Sequence, residues 1–174
     1  MDMKSLNKLN SQQGEQDIKV RPAVSSDISF FVALSYEKRR AYEKAQPQFW
    51  GYAQGAEEAQ TKYFEKLITD NNHIMLTAES EGKIVGFIDG SLVVGPPVYD
   101  PGGLNLWIDD FCMDKEADWN NVGRKLIDEI KLCGKARGCA QIVVVSGAHD
   151  KLKREFLKSM GLTVSSEFFV VDIK

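Results

Sequence analysis

The sequence predicts an α/β fold, and the length of the chain and the order of its patterns lead to that prediction. The chain has 174 residues, near the usual size of one domain, so a single core of helices packed on one sheet is the simplest expectation. A meander of predicted strands is followed by alternating strands and helices, which is the order of a mixed α/β protein. A hydrophobic fraction of 43% and a charged fraction of 27% exclude a wholly disordered or fibrous chain.

The first residues of the chain, its cysteines and its net charge indicate the cellular compartment and the class of partner to expect. Residues 1–16 are polar and lack the apolar run of a signal peptide, so we expect a disordered tail followed by one domain over residues 17–174. Cys112, Cys133 and Cys139 are an odd number without a C-x-x-C pair, which indicates reduced thiols and a cytoplasmic protein. Charges interrupt every hydrophobic stretch, so we expect no membrane segment. A net charge of −3 does not favour nucleic acid as a partner.

The first half of the chain contains patterns for a strand, two helices and a hairpin. Ile18 and Val20 alternate with charged residues, and Pro22 places the resulting strand near a sheet edge because proline lacks a backbone donor. In order, the predicted elements are a strand over 18–22, a helix capped by Ser25, Ser26 or Asp27 that ends by Gln46, a helix over 56–68, and a hairpin of strands over 73–79 and 84–88.

The second half begins with a loop and then alternates strands and helices. Residues 95–103 are rich in proline and glycine, which cannot hold a regular ladder, so this segment is predicted to be a loop. The elements that follow are a strand over 104–113, an amphipathic helix over 122–137, a buried strand over 141–145, a helix over 149–160 stopped by Gly161, and a last strand over 167–173.

Two segments of this half resemble a known family. Residues 108–123 read IDDFCMDKEADWNNVG, and they resemble the strand and turn that receive the acetyl-CoA pyrophosphate in the GNAT superfamily of N-acetyltransferases. Residues 156–162 read FLKSMGL and resemble the helix end of the same family, at the expected separation. The resemblance implies the GNAT fold, with a mixed central sheet of about six to seven strands and helices on both faces.

The resemblance also implies where acetyl-CoA binds. Backbone N–H groups at a helix start lack internal partners and face the positive end of the dipole, which suits a diphosphate. The family pattern (Q/R)-x-x-G-x-(G/A) is broken at Asp118 and Asn121, and Asn120-Asn121 can also be read as an ordinary helix cap. The pantetheine arm is expected between the strands over 104–113 and 141–146. The cofactor-binding residues implied in this way are Phe111, Cys112, Met113, Asn121, Val122, Gly123, Arg124, Lys125 and Asp150.

Adjacent carboxylates on the strand of the first motif are the candidate catalytic residues. In the family a carboxylate on this strand takes a proton from the substrate ammonium, directly or through water, and Asp109 occupies the position of its frequent glutamate. Asp110 is explained equally well by a turn cap or an ion pair, and on a regular strand the two side chains would face opposite sides. Leu157 stands where the family commonly has the tyrosine that protonates the departing thiolate. Either Tyr99 or another loop residue replaces that acid, or the thiolate leaves without one and the rate has no falling limb near the phenol pKa.

The acceptor is expected between the first two helices and the Pro-Gly loop. The candidate substrate-binding residues are Tyr42, Phe49, Trp50 and Tyr99, although aromatic side chains also fill cores, and Glu37, Glu43, Glu57 and Glu58 can attract an amine or be ordinary solvated charges. We therefore predict an acetyl-CoA-dependent N-acetyltransferase acting on a primary amine of a small molecule or peptide, without a metal ion, as a monomer or a homodimer. The alternatives are a GNAT-like module that binds acyl-CoA without turnover and an interaction protein that has lost its ligand.

Overall fold

One mixed sheet forms the centre of the protein. The structure is a computed structural model, and it describes residues 17–115 and 117–173. Within this part of the chain the strands are β1 Ile18–Pro22, β2 His73–Ser80, β3 Lys83–Val94, β4 Leu104–Met113 and β5 Gln141–Val144. They lie in the order β1-β2-β3-β4-β5, and each neighbouring pair is antiparallel except β4 and β5, which are parallel. The prediction of a mixed sheet is confirmed.

Helices cover both faces of this sheet. They are α1 Ile28–Ala45, the short α2 Pro47–Trp50, α3 Ala56–Leu67, α4 Arg124–Ala136 and α5 Lys151–Ser159, with a π-helical turn over Trp119–Gly123 that leads into α4. The helices predicted over 56–68, 122–137 and 149–160 are therefore confirmed, with ends displaced by at most two residues. None of the helices in the described residues is long and apolar enough to cross a membrane.

Two hydrophobic clusters separate the faces of the sheet. Ile88 packs with α4 and α5, whereas its neighbour Phe87 packs with Phe31 and Phe64 of α1 and α3. Adjacent strand residues point to opposite faces, so the apolar runs of the inner strands serve both layers. The inner strands β2, β3 and β4 are consequently buried on both sides over most of their length.

The predicted number of strands is wrong. We expected about six to seven strands, but the described residues form five, because the segment predicted as the last strand pairs with nothing. The chain leaves α5 through Gly161, which has a φ of +84°, and residues 163–173 make no hydrogen bond with any described residue. Phe169 in this segment is 92% exposed. The tail expected over residues 1–16 lies outside the described residues.

Candidate active site

An irregularity in the ladder between β3 and β4 gathers carboxylates at the centre of the sheet. Gly90 lies opposite Ile108 and Ile88 lies opposite Phe111, so Asp89 faces the dipeptide Asp109-Asp110. This arrangement is a β-bulge, in which one strand carries an extra residue. The expectation that the two aspartates face opposite sides assumed regular alternation, and the bulge removes that alternation.

Asp89 completes the bulge. Its Oδ1 accepts a hydrogen bond of 2.8 Å from the backbone N–H of Asp110, which satisfies an amide that the irregular ladder leaves without a carbonyl partner. Only 2% of Asp89 is exposed, and its burial and the nearby Asp110 carboxylate raise its pKa above the ordinary range. Asp89 was not among the residues predicted from the sequence. A charged residue in the middle of the apolar run of β3 was the signal that could have identified it.

Asp110 is held by two cations from α1. Lys38 Nζ lies 3.0 Å from Asp110 Oδ1, and Arg39 Nη2 lies 2.8 Å from Asp110 Oδ2. Burial acts to raise the pKa of this carboxyl, but Lys38 and Arg39 outweigh it and hold the pKa below its usual range. Asp110 is therefore ionised and fully engaged in ion pairs, which is an anchoring arrangement and a poor one for accepting a proton.

Asp109 is in the opposite situation. It is exposed, and no salt bridge to it is formed within residues 17–115 and 117–173. Partial desolvation and the adjacent Asp110 carboxylate raise the pKa of Asp109. An accessible carboxylate with a raised pKa can accept a proton from an amine, so the geometry suits the role that the sequence analysis gave to Asp109 better than that given to Asp110.

The parallel strands β4 and β5 diverge beside this cluster. The hydrogen bond from Val145 N to Ile108 O, 2.9 Å long, is the last one between them in the described residues. Beyond it β4 continues to Met113, while β5 has ended at Val144. The edge of β4 over residues 109–113 therefore faces a wedge-shaped gap, and Phe111, Cys112 and Met113 lie along it as the sequence analysis expected for the arm of the cofactor.

Lys153 of α5 reaches the apex of this wedge. Its Nζ donates a 2.9 Å hydrogen bond to Val145 O and lies 5.5 Å from the ring centroid of Phe111, so it bridges the two diverging strands. Only 1% of the residue is exposed, and burial, with Lys38 nearby, lowers its pKa to about 7. Lys153 was not among the residues predicted from the sequence. Lys153 shares an i, i+3, i+4 stripe with the buried Phe156 and Leu157, and this lysine on an apolar face was the available signal.

The loop after β5 supplies further polar groups to the wedge. Ser146 Oγ and His149 Nε2 are buried, and neither has a hydrogen-bond partner among the described residues. Buried polar atoms without partners are costly, so they point to a polar ligand at this place. The amide and carbonyl groups of a pantetheine arm would supply such partners, and the residues of the wedge therefore fit acetyl-CoA.

Tyr42 joins α1 to the same loop. Its hydroxyl donates to Asp150 Oδ2 (3.1 Å) and accepts from the backbone N–H of Gly147 (3.2 Å), and burial raises its pKa. Asp150 in turn caps α5, because its Oδ1 accepts from Lys153 N at 3.2 Å. Tyr42 therefore connects α1 to the loop between β5 and α5.

The predicted phosphate site carries an unfavourable charge. Asp118 Oδ1 accepts from Asn120 N at 2.9 Å, and Asp118 O accepts from the N–H groups of Asn121 and Val122. A carboxylate thus occupies the start of the helix, where a diphosphate was expected. Gly123 is buried, and a Cβ there would lie 3.0 Å from the Trp119 ring.

The two basic residues of this turn differ in direction. Arg124 is exposed at the beginning of α4 and is free to approach an anion. Lys125 Nζ points toward β1 and donates to Ile18 O at 3.4 Å. The structure thus places Arg124, but not Lys125, where positive charge would assist phosphate binding.

The aromatic residues predicted to bind the acceptor fall into two groups. The rings of Tyr42, Trp50 and Phe49 contact one another in series, with centroids 5.2 and 4.6 Å apart, and Phe49 is half exposed. Tyr99 lies apart from this series on the exposed loop over 95–103 and is 71% exposed. Glu57 and Glu58 line a separate recess of about 630 Å³ between α1 and α3.

Cys112 is the remaining reactive side chain near the wedge. It is buried, and its desolvation raises the pKa of the thiol to about 11. A nucleophilic cysteine requires a lowered pKa, so this thiol is suited to packing.

Comparison with known proteins confirms the resemblance found in the sequence. Residues 36–162 match the model of the acetyltransferase (GNAT) family. A mutant of the BH1408 protein from Bacillus halodurans superposes with a TM-score of 0.79, at 18% identity over 90% of this chain and 99% of that one. A predicted acetyltransferase from Clostridium acetobutylicum, solved with acetyl-CoA, gives 0.69 at 20% identity over 89% and 96%.

An aminoglycoside N-acetyltransferase has the same fold. The aminoglycoside N-acetyltransferase AAC(6')-Iy, solved in complex with CoA, gives a TM-score of 0.72 at 11% identity, over 91% of this chain and 96% of that one. These identities show a shared fold alone. A search among curated proteins finds no match to the sequence.

Proposed function

Because this chain belongs to the acetyltransferase (GNAT) family, we propose that it transfers an acetyl group from acetyl-CoA directly to a primary amine of a small-molecule acceptor. The observation that carries the proposal is the wedge between β4 and β5, which has accessible carboxylate and buried ammonium groups beside it. Neighbours of the same fold bind acetyl-CoA or CoA, and one of them is named for acetylating aminoglycosides. We place the activity in one domain over residues 17–174, acting in the cytoplasm.

The donor is held along the wedge. Bound acetyl-CoA supplies an activated thioester, and the free edge of β4 can pair with its pantetheine arm as with an added strand. Ser146 and His149 offer the unpartnered polar atoms described above, and Arg124 offers positive charge to the phosphates. Asp118 opposes that charge, so we expect weaker diphosphate binding than the fold can provide.

The acceptor is held on the α1 side of the sheet, where Asp109 is the base. The carboxylate attracts a cationic amine and takes its proton, directly or through water, so that the nitrogen lone pair can attack the thioester carbonyl. Asp110 is not the base in this scheme. It fixes Lys38 and Arg39 and thereby positions α1 against the bulge.

Lys153 is the acid that the sequence left unidentified at Leu157. These two residues lie one turn apart on the same buried face of α5, so the lysine can approach the place where the tyrosine of the family would act. An N–C bond forms while the C–S bond breaks, and the Lys153 ammonium gives a proton to the departing thiolate. A thiolate whose conjugate thiol has a pKa of about 8.5 accepts that proton readily, because the lowered pKa of Lys153 makes its ammonium the stronger acid. The products are the N-acetylated acceptor and CoA.

The test is a panel of amines incubated with acetyl-CoA while free thiol is measured. We expect Asp109→Asn to lower kcat by about 10²- to 10⁴-fold and to leave the thermal stabilisation by acetyl-CoA unchanged. Asp128→Asn, at an exposed carboxylate on α4, is the matched control and should behave as wild type. Wild-type turnover by Asp109→Asn would refute the assigned base.

A binding module without turnover is the second candidate. The carboxylate of Asp118 at the helix start favours it, because it departs from an arrangement built for diphosphate. Thermal stabilisation by acetyl-CoA with no thiol release from any amine would support this candidate over the enzyme.

A further inference from the structure

Lys153 is a buried lysine that has no counter-ion within residues 17–115 and 117–173. Only 1% of the residue is exposed, and its Nζ donates to the backbone carbonyl of Val145 at 2.9 Å. It forms no salt bridge with a carboxylate of the described residues. Burial removes the water that would stabilise an ammonium, so an amine in this position favours its neutral form.

A second buried lysine, Lys38 of α1, is in the opposite situation. Burial acts to lower its pKa, but the neighbouring Cys112 and Asp110 outweigh this effect, so Lys38 stays an ammonium. Burial and the charge of Lys38 lower the pKa of Lys153 to about 7. Cys112, Asp150 and Asp110 face the same amine and act to raise its pKa, but they do not compensate. At neutral pH about half of the Lys153 side chains are therefore neutral amines.

The neutral form of Lys153 is a nucleophile beside the thioester. A lysine becomes nucleophilic when it is desolvated or lies near another cation, and Lys153, which lies near Lys38, meets both conditions. In the proposed reaction its ammonium reaches the departing sulfur, and the carbonyl carbon of the thioester is bonded directly to that sulfur. The flexible four-carbon stem of lysine allows the nitrogen to reach either atom.

We propose that Lys153 is a site of self-acetylation, which is modified when acetyl-CoA is bound and no acceptor is present. The lone pair of the neutral amine attacks the thioester carbonyl, an N–C bond forms and the C–S bond breaks. One proton of the nitrogen passes to the departing thiolate, so the products are acetylated Lys153 and CoA. The inference rests on the proposed function, because it needs the thioester in the wedge.

The modification would slow the enzyme. An amide is a poor acyl donor, so the acetyl group stays on Lys153 and does not pass to an acceptor. Acetylation removes the ionisable group that protonates the thiolate, and the added group occupies the apex of the wedge beside Val145. A chain kept with acetyl-CoA alone should therefore turn over more slowly and bind acetyl-CoA less tightly. A bound acceptor competes for the same carbonyl and protects Lys153.

The test incubates the full chain with acetyl-CoA in the absence of an amine and follows the mass of the intact chain. We expect one acetyl group per chain, located at Lys153 by peptide mapping. Its rate of addition should rise about tenfold between about pH 6 and pH 8, as the ammonium loses its proton. Lys153→Arg should abolish this modification. Lys158→Arg, at an exposed position of the same helix, is the matched control and should be modified at Lys153 as wild type is.

Three results would overturn the proposal. Acetylation spread over exposed lysines, at equal rates in the folded chain and in urea, would show ordinary chemical acetylation. Thermal stabilisation by acetyl-CoA and thiol release with an amine, together with an unmodified Lys153, would refute self-acetylation and leave the proposed function intact. The absence of thermal stabilisation by acetyl-CoA would overturn both, since no thioester would then lie in the wedge.

Discussion

Replacing Asp110 by Asn tests the electrostatic centre of the site. The substitution keeps the shape of the side chain and removes the charge that faces Lys38 and Arg39, at 3.0 and 2.8 Å. Removing one member of a buried ion pair typically costs about 3–5 kcal/mol. The side chain of Asp110 is 9% exposed and that of Lys38 is 17% exposed, so breaking this ion pair should cost almost as much as breaking a fully buried one. The Arg39 pair is 36% exposed on its cationic side and adds little.

Two effects reduce the expected loss. The amide oxygen still accepts a hydrogen bond from one of the two cations, and the repulsion between Asp110 and Asp89 disappears. We therefore expect the free energy of unfolding to fall by about 2–4 kcal/mol and Tm by about 6–12 °C. Glu58→Gln, which breaks an exposed ion pair with Lys62 on α3, is the matched control and should cost less than about 0.5 kcal/mol.

The difference in unfolding free energy between wild type and Asp110→Asn should also depend on pH. The pKa of Asp110 is lowered in the folded protein, so its contribution is fully present above the unfolded carboxyl pKa of about 3.9 and is lost as pH falls through the folded value. Thermal unfolding followed by circular dichroism at neutral pH and in acid measures both effects. A loss at neutral pH no larger than that of Glu58→Gln would refute the assignment of Asp110 as the electrostatic anchor.

Three further predictions concern other charges of the site. Asp89→Asn retains an acceptor for Asp110 N but removes a buried carboxyl whose pKa is raised. The unfolding free energy of wild type should therefore decline as pH rises above about 3.9, and denaturant titrations should show a smaller decline in the variant than in wild type. In the pH profile of kcat, wild type should show a falling limb near the Lys153 pKa of about 7, and Lys153→Met should remove that limb. Lys158→Met, at an exposed position of α5, is the control and should keep the limb. An unchanged falling limb in Lys153→Met would refute the role of Lys153 as the general acid. Asp118→Asn keeps the acceptor for Asn120 N without the charge and should tighten acetyl-CoA binding by about fivefold in calorimetry, and weaker binding would contradict the account of the phosphate site.

The sequence predicted the elements well because each depends on local patterns. The bounds of β4 were predicted without error, since its apolar run is delimited by a Gly-Pro loop and by Asp114. The segment over 167–173 has an equally good strand pattern and remained unpaired. A pattern reports the propensity of a segment to form a strand, and whether a neighbouring edge receives it depends on tertiary structure or on a second chain.

The site was less predictable, because its features depend on contacts between distant residues. The bulge requires Asp89 of another strand to accept the extra amide, and nothing in the residues 108–111 indicates this partner. Lys153 was not selected from the sequence, because only the packing of α5 against the diverging strands buries it. The predicted roles of Asp109 and of the residues along the wedge remain predictions.

Because of its extra residue, β4 pairs with β3 in two different registers. From Leu104 to Ile108 the strand is aligned with β3 in one frame, and from Phe111 onward it is aligned in another, shifted by one position. Deleting either Asp109 or Asp110 would merge the two frames and give a continuous ladder. The shorter chain would have a more regular sheet and would lack the irregular point at which the exposed carboxylate of Asp109 is placed beside Asp110. Variants selected for stability alone are therefore expected to lose Asp109 and to keep Asp110, whose ion pairs with Lys38 and Arg39 stabilise the fold.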